Sequence, residues 1–354
     1  MALSSIIRSP LRSIVRSSLA GEPQNLLDAA TEYLGGIEPL HYWDFTTNRA
    51  LFAGVARSSL SDTPGWSFTR ATVGTAETAA GAIVEFASGQ LRRTDKGVLI
   101  ESARTNLFLN SSVGVTQDVT VAAAAHTLSF RGTGTITLTG TSTAGPLVGT
   151  GVNNTVSLTF TPSAGTLTLT VSGSVTNVNL EAGAFATSWI PTAGTSVTRD
   201  ADVLQVTGMT LAYPLSLFAQ YDRIIDTAAN ETLMQVDLAS SGNPESSLLR
   251  IDTSDKAAAL MTDNSATQAS VTSAASVTAG SVAKIAARFN VNSVNAALNG
   301  TAATQDAAAT LPDAPDRLTI GARGNSSVFA HNYIRRLAIF NTALSDANLQ
   351  AVTA

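Results

Sequence analysis

The stretch 181–204, EAGAFATSWIPTAGTSVTRDADVL, divides the chain into two parts of different character. It has little periodicity of its own, and it combines Trp189 with a proline, a glycine turn and the charged run Arg199-Asp200-Ala201-Asp202. Alternating Thr- and Ser-rich segments precede it, and a second series with other turn residues follows it. We therefore interpret the stretch as the end of one β-domain and the start of the next, with Trp189, Arg199 and Asp200 at the domain joint.

Upstream of this stretch, the sequence alternates as a half-buried sheet does. Val156, Leu158 and Phe160 share one side of a strand, and Thr and Ser occupy the other side. This pattern is typical of a sheet with one buried and one solvated face. Glycine-rich turns recur at short spacing, which favours a sandwich or a jelly roll. The sequence therefore predicts a sandwich or jelly-roll domain over residues 107–200.

Downstream, the chain predicts a second β-sandwich over residues 201–354. Asn299-Gly300 is a strong tight-turn signal, and Ser345 is a good N-cap for a short closing helix. Strands are predicted at 215–221, 232–238, 247–252, 282–289, 292–298, 317–321 and 333–341. The predicted fold class is thus mainly β, with two consecutive β-sandwich or jelly-roll domains after a helical N-terminal anchor and a small β-leaning segment.

Residues 37–106 form that small irregular segment, and they hold an unusual share of the aromatic residues. Tyr42, Trp43 and Trp66 lie here, although Phe, Trp and Tyr make up only 6% of the chain. Three such rings can form a stacking platform for sugars. Because the chain has so few aromatic residues to fill a core, we interpret them as core residues.

Residues 1–36 predict two short helices that act as an anchor on another protein. The second helix follows Pro23 and ends at Gly35-Gly36. Short helices need a partner surface, so the alternative is that they pack on the β-domains of this chain. An organelle transit peptide and a membrane-surface helix are minor alternatives. The anchor face of the first helix consists of Ile7, Arg8, Leu11, Arg12, Ile14, Val15 and Arg16.

Composition excludes several classes of function. The 21 basic residues are outnumbered by 26 acidic ones, which is a poor match for nucleic acid. The absence of cysteine excludes disulfides and thiolate chemistry. No apolar run is long enough for a membrane-spanning helix, so we expect no membrane insertion.

No catalytic constellation is evident in the sequence. The histidines His41, His126 and His331 lie in separate segments without metal-ligand spacing. Aspartates of the second half offer oxygen ligands for Ca²⁺, but loop aspartates more often make turns and caps. These aspartates are Asp200, Asp202, Asp252, Asp255, Asp313 and Asp316. We therefore expect a protein that is not an enzyme and has no catalytic residue, cofactor or bound metal.

Five stretches resemble a family of bacteriophage virion surface proteins, which includes head spikes, head fibres and tail fibres. The stretch 180–203 resembles the end of a carbohydrate-binding-module-like jelly roll in that family. The runs 66–72 and 97–107, which include Arg-Thr-Asn-Leu, resemble the segment before this module. The runs 317–321 and 334–349 resemble the end of a concanavalin A-like sandwich of the laminin-G type.

The resemblance implies a structural protein on the surface of a virion. It implies attachment to other capsid or tail proteins through the N-terminal segment, self-association as a homotrimer or homopentamer, and adsorption to host glycans. A free lectin-type carbohydrate-binding module is the alternative, and a polysaccharide depolymerase is a further one. From residue 107 to 180 there is no Trp or Tyr, so we do not expect this module to stack sugars on such rings.

Overall fold

The computed structural model describes residues 22–240 and 245–354, and it confirms a mainly β fold. The predicted anchor face, from Ile7 to Arg16, lies outside the described residues. The described residues form two α-helices and one 3-10 helix, which are Glu22–Tyr33 (α1), Asp346–Thr353 (α2) and Leu60–Asp62.

The strands fall into three groups along the chain. Those of the first group are His41–Asp44 (β1), Arg49–Phe52 (β2), Val55–Arg57 (β3), Trp66–Thr69 (β4), Gly74–Glu77 (β5), Ile83–Phe86 (β6), Arg93–Thr94 (β7), Gly97–Leu99 (β8) and Arg104–Asn106 (β9). Those of the second group are Gln117–Val121 (β10), His126–Gly132 (β11), Thr135–Gly140 (β12), Leu147–Val148 (β13), Gly151–Phe160 (β14), Gly165–Ser172 (β15) and Val175–Ala182 (β16). Those of the third group are Val197–Arg199 (β17), Val203–Thr207 (β18), Leu215–Arg223 (β19), Glu231–Asp237 (β20), Ser246–Ile251 (β21), Lys256–Asp263 (β22), Ala266–Ser276 (β23), Ser281–Phe289 (β24), Asn295–Leu298 (β25), Thr301–Ala302 (β26), Arg317–Ile320 (β27) and Tyr333–Phe340 (β28).

The second group forms a small sandwich. A four-stranded sheet in the order β10-β15-β12-β13 faces a three-stranded sheet in the order β14-β11-β16. Leu167 and Leu169 from the first sheet and Leu128 and Phe130 from the second meet in its core. The predicted alternation is thus present, but β11 is buried on both faces instead of having a solvated side. The face of β11 that was expected to be solvent-exposed is covered by segments from outside the small sandwich.

The third group forms most of a large sandwich, which also takes strands from the first group. Its ten-stranded sheet runs in the order β26-β25-β24-β19-β28-β1-β2-β3, with β8 on β28 and β7 on β8. Its seven-stranded sheet runs β23-β22-β21-β20-β27-β18-β4. Residues 37–106, predicted as a separate segment, therefore supply strands to both sheets. Tyr42 and Trp43 are buried at the centre of the ten-stranded sheet, which confirms their interpretation as core residues.

Both helices pack against the ten-stranded sheet of this chain. Leu26 and Ala30 on the apolar face of α1, and Leu34 directly after this helix, join a buried cluster with Phe218 of β19 and Leu349 of α2. The second predicted helix is therefore confirmed in position. This helix packs on the chain's own β-sheet, which was the alternative to an anchor on another protein, because its apolar face is buried there. The closing helix is confirmed as well.

Candidate binding cleft between the two sandwiches

A cavity of about 300 Å³ lies where the small sandwich meets the large one. One wall is the covered face of the sheet β14-β11-β16, and the joint residues 186–189 line one end. The opposite wall is formed by Ile224 and Ile225, which follow β19, and by His331 and Tyr333 near the start of β28. This volume lies at the lower end of the range of small-ligand pockets, roughly 300–1,000 Å³.

The hairpin β5–β6 bridges the two sandwiches beside this cleft. On one side, Arg131 of β11 donates from Nη2 to Glu77 Oε2 at 2.7 Å and from Nη1 to the Gly81 carbonyl at 2.6 Å. On the other side, Tyr333 of β28 donates from its hydroxyl to the Glu77 carbonyl at 3.1 Å and accepts from the Glu77 amide at 2.6 Å. The hairpin is thus fixed from both directions, so the walls of the cleft are preformed.

Several polar groups in the cleft are free to meet a ligand. Within residues 22–240 and 245–354, the side chains of Ser129, Ser157 and Asn177 make no hydrogen bond, although all three line the cavity. Asn177 has a φ of +51°, which places it in the left-handed region where asparagine is tolerated. The Lys96 ammonium lies 4.7 Å from the centre of the Tyr333 ring, near the same cavity. Ser129, Ser157 and Asn177 therefore offer hydroxyl and amide partners against an apolar wall, whereas Lys96 also lies 3.9 Å from Asp222.

A buried ionic network, here called the floor, lies beside the cleft and meets its lining through Glu101. Arg92 donates to Asp202 from Nη2 and to Glu101 Oε2 at 2.6 Å from Nη1. Arg70 reaches Asp202 at 3.0 Å, and Arg199 reaches Glu101 at 2.9 Å. All five side chains are at most 3% exposed. The network therefore connects strands and loops between positions 70 and 202. Within it, the charges of three arginines are largely balanced by two carboxylates.

The electrostatics of this floor keep Glu101 ionised. Its burial alone raises the pKa, but the adjacent Arg199 and Arg92 outweigh burial and hold the pKa well below its usual range. Ser188 in the joint donates to the same carboxylate from its amide at 2.9 Å and from its hydroxyl at 2.7 Å. The stretch that divides the chain is thus attached to the network through a charge-assisted contact.

Glu181, at the start of that stretch, has the opposite environment. It is fully buried, and its Oε1 accepts from Asn179 at 2.8 Å and from the Thr187 hydroxyl at 3.0 Å. Burial raises its pKa to about 7, and the more distant Arg199 and the Thr187 hydrogen bonds offset only part of this effect. This carboxyl therefore titrates near neutral pH inside the joint.

His331 is the histidine that lines the cleft. It is 8% exposed, its Nδ1 has no hydrogen-bond partner among the described residues, and the Phe185 ring lies 4.8 Å away. Burial lowers its pKa to about 4, so it is neutral at pH 7. In this form it can donate or accept a hydrogen bond but brings no charge to a ligand.

Of the three predicted joint residues, Trp189 lines the cleft, whereas Arg199 and Asp200 do not. Trp189 is half-buried, lines the cavity and donates from Nε1 to Ser111 Oγ at 3.1 Å. Arg199 is fully buried in the network, whereas Asp200 is partly exposed and its amide donates to Thr72 Oγ1 at 2.8 Å. In the described part of the chain, no group of three or more His, Asp or Glu side chains is placed to hold a metal ion.

Sequence reasoning missed Arg92, Arg131 and the free polar groups of the cleft. Arg92 lies in a run without periodicity, and its partners are 9 and 110 residues away. Glu101 belongs to the quoted run 97–107, and a charged residue beside the apolar Val98-Leu99-Ile100 was a usable signal of a buried ion pair. Ser129 and Asn177 carry no such signal, because their strands alternate in the same way on either face.

Comparisons with known proteins agree with this architecture. Residues 192–350 match the family model described as the concanavalin A-like lectin/glucanases superfamily. No curated protein sequence matches the chain. Within the described residues, no helix is both long and apolar enough to cross a membrane.

Similar solved structures include the carbohydrate-binding module CBM40 of a Ruminococcus gnavus IT-sialidase, which is 15% identical, with 42% of this chain and 98% of that chain covered and a TM-score of 0.34. The NanB sialidase from Streptococcus pneumoniae is 14% identical, with 41% and 27% covered and a TM-score of 0.34. A heptameric SAP-like pentraxin from Limulus polyphemus is 10% identical, with 43% and 75% covered and a TM-score of 0.35. This chain thus spans about a quarter of the length of NanB. Residues 192–350 thus match the concanavalin A-like family model, and they lie in a sandwich whose two sheets also take strands from the first part of the chain.

Proposed function

We propose that this chain is a non-catalytic lectin-type module that binds a neutral saccharide in the cleft between its two sandwiches. The observation that carries the proposal is the set of free polar side chains, Ser129, Ser157 and Asn177, inside a preformed cavity. A fold hosts many functions, so the site has to carry the argument and the match to a lectin family only supports it.

The charges of the cleft favour a neutral ligand. Arg131 is paired with Glu77, and Lys96 lies 3.9 Å from Asp222. The floor is compensated internally, and His331 is uncharged at pH 7. What remains for a ligand is a set of hydroxyl and amide groups beside Trp189 and the isoleucines, which matches the hydroxyl groups and C–H faces of a sugar ring.

A glycan array probed with the full chain tests this proposal. The full chain is needed because β1 to β4 and β8, from the first part of the chain, complete the sheets of the large sandwich. We expect saturable binding to a subset of neutral glycans and no release of reducing ends from them. Binding to no glycan contradicts the proposal, and release of reducing ends favours a depolymerase.

We further propose that the module works on the surface of a bacteriophage particle, on the basis of the sequence resemblance of 180–203 and 97–107. In this role, residues 1–21 attach the chain to capsid or tail proteins, and a trimer or pentamer presents the clefts to host glycans. Helix α1 packs on the large sandwich, so the informative deletion removes residues 1–21 and leaves this helix in place. We expect loss of particle incorporation with an unchanged fold, whereas normal incorporation contradicts this role.

A further inference from the structure

The outer face of the seven-stranded sheet, which points away from the core of the large sandwich, carries a pair of arginines outside the cleft. Arg250 lies on β21, where it pairs in register with Thr232 of β20 and Ala258 of β22. Arg323 lies in the loop that follows β27. This loop is held along β20, because the Gly321 amide donates to the Leu233 carbonyl at 2.9 Å.

A second backbone contact fixes the same loop beside Arg250. The Thr232 amide donates to the Val328 carbonyl at 3.3 Å, and the Arg323 amide closes a turn on the Ser327 carbonyl at 2.8 Å. Because Thr232 is the cross-strand neighbour of Arg250, the loop brings the second arginine toward the first. Both side chains are partly buried.

Neither guanidinium has an ion-pair partner among the described residues. Across residues 22–240 and 245–354, Arg250 and Arg323 make no side-chain hydrogen bond or ion pair, and the Nε of each is buried without a partner. A third arginine of this face, Arg317, is paired with a carboxylate. Its Nε and Nη2 donate to Asp237 at 2.7 and 2.8 Å. Buried polar groups are usually satisfied, so two arginines without an acceptor on the same face can donate to a bound anion.

Two carboxylates on or beside the neighbouring strands are already engaged in other hydrogen bonds. Asp237 holds Arg317 and also accepts from Gln235 at 2.6 Å. Asp252 accepts from the amides of Ser254 and Lys256 at 2.9 and 3.0 Å. The pKa of Arg250 is lowered mainly by burial and also by the charge of Arg323, and the charge of Asp252 offsets part of this effect. Burial likewise lowers the pKa of Arg323. The charged forms of the two arginines are therefore destabilised without a ligand, and a bound anion stabilises them.

We infer that Arg250 and Arg323 bind one oxyanion, a carboxylate or a sulfate or phosphate group, on the outer face of the seven-stranded sheet. Guanidinium groups match the planar edge of such anions with two parallel N–H···O bonds, and two of them provide enough donors for all its oxygens. The inference stands apart from the proposed function, because no residue of the cleft takes part in it.

Isothermal titration of the full chain with glucuronate, inorganic sulfate and inorganic phosphate tests this inference at low ionic strength, where screening is weak. We expect one site per chain for at least one of these probes, with a dissociation constant below about 10 mM. Tighter binding of glucuronate assigns the site to carboxylates, and tighter binding of sulfate or phosphate assigns it to tetrahedral oxyanions.

The variants R250Q and R323Q should each weaken this binding by about tenfold or more, and the double variant should abolish it. R57Q is the matched control, since Arg57 also has a buried Nε without a partner but lies on β3 of the other sheet. Circular dichroism confirms the fold of each variant, and removal of one repelling charge should leave the melting temperature unchanged or higher. Absence of saturable binding for all three probes, or equal binding by wild type and the double variant, overturns the inference.

Discussion

Replacing Asp202 with asparagine removes one negative charge from between two buried arginines. The carboxylate accepts from Arg70 Nη1 at 3.0 Å, from Arg92 Nε at 3.4 Å and Nη2, and from the Glu101 amide at 2.9 Å. Asparagine keeps one acceptor oxygen and turns an amide nitrogen toward the remaining donors. Three buried arginines then share the single negative charge of Glu101.

The expected loss follows from these contacts. About two charge-assisted hydrogen bonds disappear, each contributing roughly 1.5–3 kcal/mol, and buried donors are left unsatisfied. Relaxation of the arginines recovers part of this loss. We therefore expect D202N to lower the free energy of unfolding by about 3–5 kcal/mol, the usual cost of removing one partner from a buried ion pair.

Urea denaturation, followed by circular dichroism and tryptophan fluorescence, measures this loss. D200N is the matched control, because Asp200 is two residues away and partly exposed, and contributes only its amide to the hydrogen bond with Thr72. We expect D200N to stay within about 0.5 kcal/mol of wild type. A loss below about 1 kcal/mol for D202N, or an equal loss in D200N, would refute the role given to the network.

Two further predictions concern stability. Because the pKa of Glu181 rises from 4.5 in the unfolded chain to about 7 in the folded one, its contribution to stability is full below pH 4.5 and is lost as the pH rises to 7, by about 3 kcal/mol. Urea denaturation between pH 4.5 and 7 should show that E181Q lacks this fall of stability with pH, and that E85Q, at an exposed site, keeps it. The wild-type pH dependence in E181Q contradicts the raised pKa of Glu181. Directly after α1, L34A should cost about 2–5 kcal/mol in thermal denaturation, since Leu34 is fully buried, and L27A within α1, where the side chain is only partly buried, should cost less. Equal small losses in both variants would mean that α1 does not pack on the sheet.

The alternation of the strands was sufficient to predict much of the fold. Val156, Leu158 and Phe160 face the core of the small sandwich as expected, and the predicted strands of the third group are present within a few residues of their limits. Strands β22 and β23 escaped prediction, because the run Ala257-Ala258-Ala259 has a weak β-propensity. Pairing with β21 and burial of all three alanines override that propensity.

Long-range pairing could not be predicted from the sequence. Trp43 on β1 pairs with Leu337 on β28, almost 300 positions along the chain, and no local pattern specifies such a partner. The cleft could not be predicted for the same reason, because its walls come from segments that are distant in sequence and meet only in the folded chain. The stretch 181–204 was identified as a joint from its composition, whereas its attachment to Glu101 through Ser188 required the structure.

The central claim is that the cleft between the sandwiches binds a saccharide. The most direct test is to titrate a glycan identified on the array into S157F and T137F. Both residues are exposed on strands and make no side-chain hydrogen bond among the described residues, but Ser157 lines the cavity, while Thr137 lies on the outer face of the four-stranded sheet. We expect S157F to weaken binding by about tenfold or more because its ring fills the cavity, and T137F to bind as wild type does. Equal affinity in the two variants would contradict the claim.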